Sequence, residues 1–308
     1  MTNVLSRRGV LGAGLAVGAT AVATGAFSNT AQAEESFGGP LIGEPRRDQL
    51  HLLTFNLRFE GGDASPHTWD ERRPLVKTVL KREKPSILFT QEGVYGQLQD
   101  VREDLGDQYD WIHLGRMGGS RSEATAVYWN TKRLKVVEYD HQWLSDTPLL
   151  IGSKGWGNNV VRMLTWVRFL DLRTGKEFYV VNNHFDHQSE DARQKGAQMN
   201  LDVIAPWVEA GTPVIAAGDF NQVPETPTYT ILTDGGLVDT MLAAEEQVTP
   251  VWGTWNGWNP VPSETERRID WILATPGVRI LKAGVNTYAK DGLTPSDHWP
   301  AQALVELP

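Results

Sequence analysis

Val214-Ile215-Ala216-Ala217-Gly218-Asp219-Phe220-Asn221 is a short apolar run that stops at a glycine and then delivers an acid and an amide. A run of this length, free of charge and closed by a breaker, reads as one buried strand. Side chains alternate along a strand, so Asp219 and Asn221 share one face while Phe220 points to the core. The strand therefore ends by presenting a carboxylate and an amide at its tip.

The same arrangement recurs outward from this segment. Leu52-Leu53-Thr54-Phe55-Asn56, Ile87-Leu88-Phe89-Thr90-Gln91-Glu92 and Tyr179-Val180-Val181-Asn182-Asn183-His184 are apolar runs that finish in polar residues. Asn56 pairs with Arg58 by the same alternation. Arg268-Ile269-Asp270-Trp271-Ile272-Leu273 and Ser296-Asp297-His298-Trp299-Pro300 instead begin with the polar cluster. If the last two strands run opposite to the first four, all six clusters lie on one rim. A lone acid or asparagine after a strand is an ordinary turn residue. Six clusters on one rim are more than loop chemistry requires.

Strands are expected over 50–56, 86–91, 111–114, 124–129, 134–139, 160–170, 178–183, 213–218, 269–273, 278–283 and 301–306. A helix over 69–83 carries Leu75, Val76, Val79 and Leu80 as one apolar stripe. A second helix starts near Ser189, which caps it; Glu190 and Asp191 suit its first turn, and Met199, Val203 and Ile204 supply its buried side. Many strands and few helices predict two packed sheets with helices outside.

The chain of 308 residues is 40% hydrophobic and 22% charged, which fits an ordinary globular protein rather than a disordered or polytopic membrane one. Its net charge of −9 gives no general attraction for polyphosphates, so a protein that coats duplexes is excluded, though a nuclease with a local phosphate site is not. With no cysteine, disulfides, iron–sulfur clusters and thiolate zinc sites are excluded, and any metal must sit among oxygen or imidazole ligands. Arg7-Arg8 precede an uncharged Gly- and Ala-rich stretch that ends Ala31-Gln32-Ala33, a small-residue cleavage pattern. Residues 1–33 are read as a twin-arginine (Tat) type export signal cleaved after Ala33, residues 34–48 as a flexible tether, and 49–308 as one domain. The stretch is too poor in large aliphatics to be a membrane span, and none is expected in the mature chain. The mature protein is expected to be a secreted or extracytoplasmic monomer whose export partner is the Tat machinery.

Gly218-Asp219-Phe220-Asn221 and Ser296-Asp297-His298, with Gln91-Glu92 and Arg268-Ile269-Asp270 in the required order, resemble the endonuclease/exonuclease/phosphatase superfamily. That superfamily includes pancreatic-type DNases, abasic-site endonucleases, neutral sphingomyelinases and inositol-polyphosphate 5-phosphatases. The resemblance runs from Asn56 to His298. It implies a DNase I-like four-layer α/β sandwich, two packed, mainly antiparallel sheets flanked by helices, with a divalent-metal site at one end. By the same resemblance Glu92 is the direct metal ligand, with Asn56 and Asp297 completing the site directly or through water. Asp219 orients or deprotonates the attacking water with Asn221, and His298 contacts the scissile phosphate while Asp270 holds it. Ser122-Glu123-Ala124 matches the segment whose glutamate pairs with a second histidine, here His184. Trp143-Leu144-Ser145-Asp146-Thr147-Pro148 followed by Arg162 is similar to a subgroup of bacterial, often exported, members.

These residue types suit phosphoester cleavage. A phosphodiester is anionic and repels hydroxide, so a site must offset charge and aim one water in line with the leaving oxygen. A hard cation, Mg²⁺ first and Mn²⁺ or Ca²⁺ next, supplies charge among carboxylate and amide ligands. Two acid-held imidazoles donate to the developing oxyanion or the leaving group, and an acid beside each favours its protonated ring, so activity falls on the alkaline side.

Several residues keep two readings. Arg58 and Arg162 either bind phosphate or pair with acids. Trp252, Trp255 and Trp258 crowd a Gly-rich loop; Trp255 and Trp258 stack on a base or sugar ring, present a wedge to lipid, or only pack the loop. His187, three residues after His184, has no third nitrogen ligand for zinc and is read as structural or rim. The expected activity is an exported metal-dependent phosphodiesterase. Its rivals are an extracellular DNase or RNase, a sphingomyelinase-like phospholipase C needing an exposed apolar hairpin, and an inositol-phosphate-type phosphomonoesterase needing several Lys and Arg around the rim. A non-catalytic binding domain is the last alternative.

Overall fold

The apolar run ending in Asp219 forms β8, Val214–Asp219, and all six of its residues are buried. It lies in the second of two sheets in a computed structural model that describes residues 39–308. Ahead of it run β1 (Gln49–Asn56), β2 (Ile87–Gln91), β3 (Tyr109–Ile112), β4 (Ala126–Asn130), β5 (Leu134–Trp143), β6 (Met163–Asp171) and β7 (Glu177–His184). After it come β9 (Val238–Asp239), β10 (Glu246–Gln247), β11 (Asp270–Ala274), β12 (Arg279–Val285) and β13 (Ala301–Glu306). The helices are α1 (Trp69–Glu83), α2 (Tyr95–Leu105), α3 (Glu190–Glu209), α4 (Pro227–Asp234) and α5 (Thr240–Ala243).

One sheet has the order β10-β12-β13-β1-β2-β4-β3 and the other β5-β6-β7-β8-β11-β9. Both are mixed, with antiparallel pairs prevailing. β1 runs parallel to β2 and antiparallel to β13, and β8 runs parallel to β7 and antiparallel to β11. Within each sheet the ends of the early strands and the starts of the late ones therefore share one edge.

Strand alternation sorts the apolar residues into layers. Leu52, Phe89, Val167, Val180, Ile215 and Ile272 fill the space between the sheets. Leu53, Phe55 and Leu88 turn outward onto Val76, Val79 and Leu80 of α1 and Leu98 and Val101 of α2. On the other side Val181, Ala216 and Trp271 meet Ala197 and Ile204 of α3 and Leu232 of α4. Four layers result, helices–sheet–sheet–helices.

The expected helix over 69–83 forms with those bounds. The helix after Ser189 also forms, and Ala192 N–H donates to the Ser189 hydroxyl. Its buried side is Ala192, Gly196, Ala197, Asn200 and Ile204, while Met199 and Val203 are only half-buried. Small residues there let α3 come close: a Cβ on Gly196 would lie 3.5 Å from the Phe185 ring.

Three expectations need correction. The strand expected at 111–114 is Tyr109–Ile112, because Tyr109 is buried and its hydroxyl donates to the Pro85 carbonyl at 2.8 Å. The strand expected from 160 starts at Met163, leaving 160–162 as loop. The tether expected over 34–48 is held where it is described. Leu41 N–H donates to Glu83 Oε1 at 2.8 Å, Ile42 is buried, and Arg47 donates to the Arg173 carbonyl. The expected export signal, 1–33, lies outside the described residues. No helix among the described residues is long and apolar enough to cross a membrane.

Candidate active site

Asp219 at the end of β8 stands opposite Asp270 at the start of β11 and beside His184 at the end of β7. Gly218 makes this possible. Its φ is +139°, and a Cβ there would fall 2.1 Å from the Asn183 carbonyl oxygen on β7. The chain then turns at Asn221, φ 52°, and Phe220 is buried against Phe185 and Trp271. Arg58 and Glu92, just past β1 and β2, also have positive φ, 53° and 62°. Three non-glycine residues in that region at three strand ends mark local strain where the rim side chains are aimed.

The two sheets meet at Asn56, whose Nδ2 donates at 3.0 Å to Glu92 Oε1 and at 3.0 Å to Asp219 Oδ2. His298 Nδ1 lies 2.8 Å from Asp270 Oδ2, and His184 Nε2 lies 3.5 Å from Asp219 Oδ2. In front of them is a cavity of about 540 Å³. It is lined by Glu92, Glu123, His184, Asp219, Asn221, Asp297 and His298, and by Arg58, Arg116, Arg162, Arg267, His187 and Trp255. Asn56 and Asp270 lie buried behind its wall.

Burial, then the facing charge of Asp270, pushes Asp219 up to about 7. Burial alone would lower His298, but the charge and hydrogen bond of Asp270, with Asp297 and Asp219, outweigh it and carry the ring up to about 10. His184 goes the other way. Burial and then the Arg162 and Arg116 charges hold it well below the ordinary imidazole range. The expectation of two protonated rings thus holds for His298 and fails for His184, which faces guanidiniums.

Other expectations change too. Glu123 does not pair with His184; both its oxygens meet the Arg116 guanidinium, because that side chain reaches it from the same β3–β4 connection. Asn56 presents its amide nitrogen to the two acids, while its oxygen accepts from Arg58 N–H at 2.9 Å. Arg58 lies near both Asp297 and Glu92, its Nε 3.9 Å from Asp297 Oδ2 and its Nη1 4.0 Å from Glu92 Oε2. Arg58 also takes Asp63 as a partner at 2.8 Å. Trp258 does not line the cavity; it stacks on His67 at 4.2 Å and covers Arg72. Trp255 does line it and is 42% exposed.

A divalent cation fits this donor set. Glu92, His184 and Asp219 offer ligand atoms within 4.8 Å of one another, as do Asp219, Asp270 and His298. The buried Asp270 Oδ1 has no hydrogen-bond partner, and the repulsion that raises Asp219 is what a nearby cation would relieve. Glu92 and Asp219 are the hard oxygen donors, whereas both ring nitrogens of His184 lie within 2.9 Å of Arg162 Nη1.

Sequence reasoning missed Arg116 and Arg267. Each sits in a loop among other charged residues, and only the folded chain turns it to the cavity.

A two-sheet sandwich with carboxylates, imidazoles and arginines gathered at one edge defines a hydrolase of phosphoester bonds. Residues 53–298 match the endonuclease/exonuclease/phosphatase family, and the chain belongs to that family. A family member from Bacteroides thetaiotaomicron superposes with a TM-score of 0.79 at 30% identity, covering 86% of this chain and 100% of that one. The mannosyl-6-phosphatase of the same organism superposes with a TM-score of 0.77 at 30% identity, covering 83% of this chain and 99% of that one. An uncharacterized protein of Acanthamoeba polyphaga mimivirus is 30% identical over 182 residues, which is 56% of this chain and 67% of that protein.

Proposed function

We propose that the protein is an exported, divalent-metal-dependent phosphoesterase that removes the phosphate from small phosphorylated molecules, sugar phosphates foremost. The observation that carries this reading is the convergence of Arg58, Arg116, Arg162 and Arg267 on the same cavity as Glu92, Asp219 and His298. Four guanidiniums gathered in a chain of net charge −9, with Arg58 and Arg116 paired to Asp63 and Glu123, offset the cavity's carboxylates and favour an anionic ligand once a cation is bound. They meet the requirement set out above for the phosphomonoesterase alternative. A cavity of about 540 Å³ suits a small ester better than a nucleic-acid strand. Similarity to a mannosyl-6-phosphatase supports the same substrate class. Phosphodiester cleavage is the second reading, favoured by the exposed Trp255 at the rim, on which a second ring could stack.

A cation held by Glu92 and Asp219, Mg²⁺ before Mn²⁺ or Ca²⁺, would supply positive charge at the phosphate oxygens. Asp219 and Asn221 orient the attacking water, and Asp219 accepts its proton. His298, its Nδ1 engaged by Asp270, has Nε2–H free to donate to the developing charge. The arginines set positive charge around the phosphate.

The test compares p-nitrophenyl phosphate, bis-p-nitrophenyl phosphate, mannose 6-phosphate, plasmid DNA and sphingomyelin, each with and without EDTA. The monoesters should turn over fastest and lose turnover with chelator, and Asp219→Ala should reduce kcat about a thousandfold. Turnover indifferent to chelator or to that substitution would refute the mechanism. Preference for the diester would move the assignment to the second reading.

A further inference from the structure

Arg162 is buried beside the cavity, and imidazoles rather than carboxylates stand at hydrogen-bond distance from it. Its Nη1 lies 2.7 Å from His184 Nε2 and its Nη2 3.0 Å from His187 Nδ1. Asp186 Oδ2 is 3.9 Å away, and Arg162 Nε has no hydrogen-bond partner. A guanidinium has donors only, so the His187 nitrogen that faces it must be an acceptor. Nδ1 is therefore bare and the proton sits on Nε2. Turning the ring over would set a C–H where the acceptor stands and would lose the bond.

His187 is exposed and lines the cavity, and its Nε2 has no protein partner among the described residues. Burial and then the Arg162 charge lower its pKa, which keeps the ring neutral. The same arrangement excludes a zinc pair from His184 and His187, because a fixed cation already lies between them.

We propose that His187 is a substrate-binding residue whose Nε2–H, aimed by Arg162, donates to a non-bridging oxygen of the phosphate held in the cavity. This rests on the phosphoesterase reading and adds to it a neutral donor whose direction is set by a buried charge. Arg162 is the positioning residue, and its charge raises the potential where the anion sits.

Two variants separate this role from simple packing. Glutamine places its amide nitrogen where His187 Nε2 stands, whereas asparagine can turn its amide oxygen to the Nδ1 place facing Arg162 but has no donor at the Nε2 position. Binding of inorganic phosphate to the mature protein with Mg²⁺ is measured by calorimetry. His187→Asn should weaken it roughly tenfold, the worth of one hydrogen bond to a charged group, and His187→Gln by less than about threefold. Imidazole ¹⁵N spectra of the wild type should show the Nε2–H tautomer for His187. Equal effects of the two variants, or an Nδ1–H tautomer, would overturn the inference. A wild type that binds phosphate in this pattern but hydrolyses no phosphoester supports the contact and refutes the proposed activity.

Discussion

Asp270 sets the charge of the site. It faces Asp219 across the β8–β11 pair and holds His298 Nδ1 at 2.8 Å, so one carboxylate raises both an acid and an imidazole. His298 stays protonated until pH rises through about 10, and activity that needs Nε2–H is kept below that pH and lost above it. Asp270→Asn removes the charge, so the descending limb of the pH–rate profile should move down toward the ordinary imidazole range near 6.5. A limb that stays in place would show that another group titrates. The Asp270–His298 pairing was implied by the family resemblance of Arg268-Ile269-Asp270 and Ser296-Asp297-His298; the polar clusters by themselves gave only a shared rim. The partner of Glu123 was not legible. A flanking arginine, Arg116, reaches it first, and nothing in the spacing separates the two choices.

At the scale of elements, the sheets are fastened beneath the rim by Asn182 of β7. Its Nδ2 donates to the Thr90 and Ala126 carbonyls of the facing sheet at 2.9 and 2.8 Å, and its Oδ1 accepts from Gln91 Nε2 at 2.7 Å. Asn182→Leu would remove three buried hydrogen bonds between the sheets and leave a Gln91 N–H unpaired, a loss of about 2 kcal/mol that denaturant titration would read. A stability within a few tenths of a kcal/mol of wild type would mean that water replaces the bonds. Most strands were legible because a run covered on both faces is apolar throughout. α2 was not, since Val94 gives no capping signal and Gly96 weakens the first turn, leaving only Leu98, Val101 and Leu105 as a stripe.

For the whole molecule, burial leaves a pH signature away from the rim. His51 is fully buried, with Nε2 2.7 Å from Gln302 Oε1 and Nδ1 unpartnered, and burial pushes it down to about 4. The unfolded chain takes up that proton near pH 6.5, the folded one only near 4. The contribution to stability is complete above pH 6.5 and fades as pH falls to about 4, by up to about 3 kcal/mol. His51→Gln should flatten the dependence of the urea midpoint on pH across that window. An unchanged slope would place the effect elsewhere, His141, also pushed down to about 4, being the next candidate.

The sequence by itself determined most of the strands, the first and third helices, and the gathering of Asn56, Glu92, His184, Asp219, Asp270 and His298 at one edge. These follow from side-chain alternation and from unbroken apolar runs, which are local properties of the chain. Only the tertiary structure decided who pairs with whom: Glu123 with Arg116, His184 and His187 with Arg162, Trp258 with His67, and Asn56 with both Glu92 and Asp219. Such choices belong to long or amphipathic side chains, whose several torsions let them reach any of a few neighbours. Which neighbour is nearest is fixed once loops far apart in sequence have been folded onto the same rim.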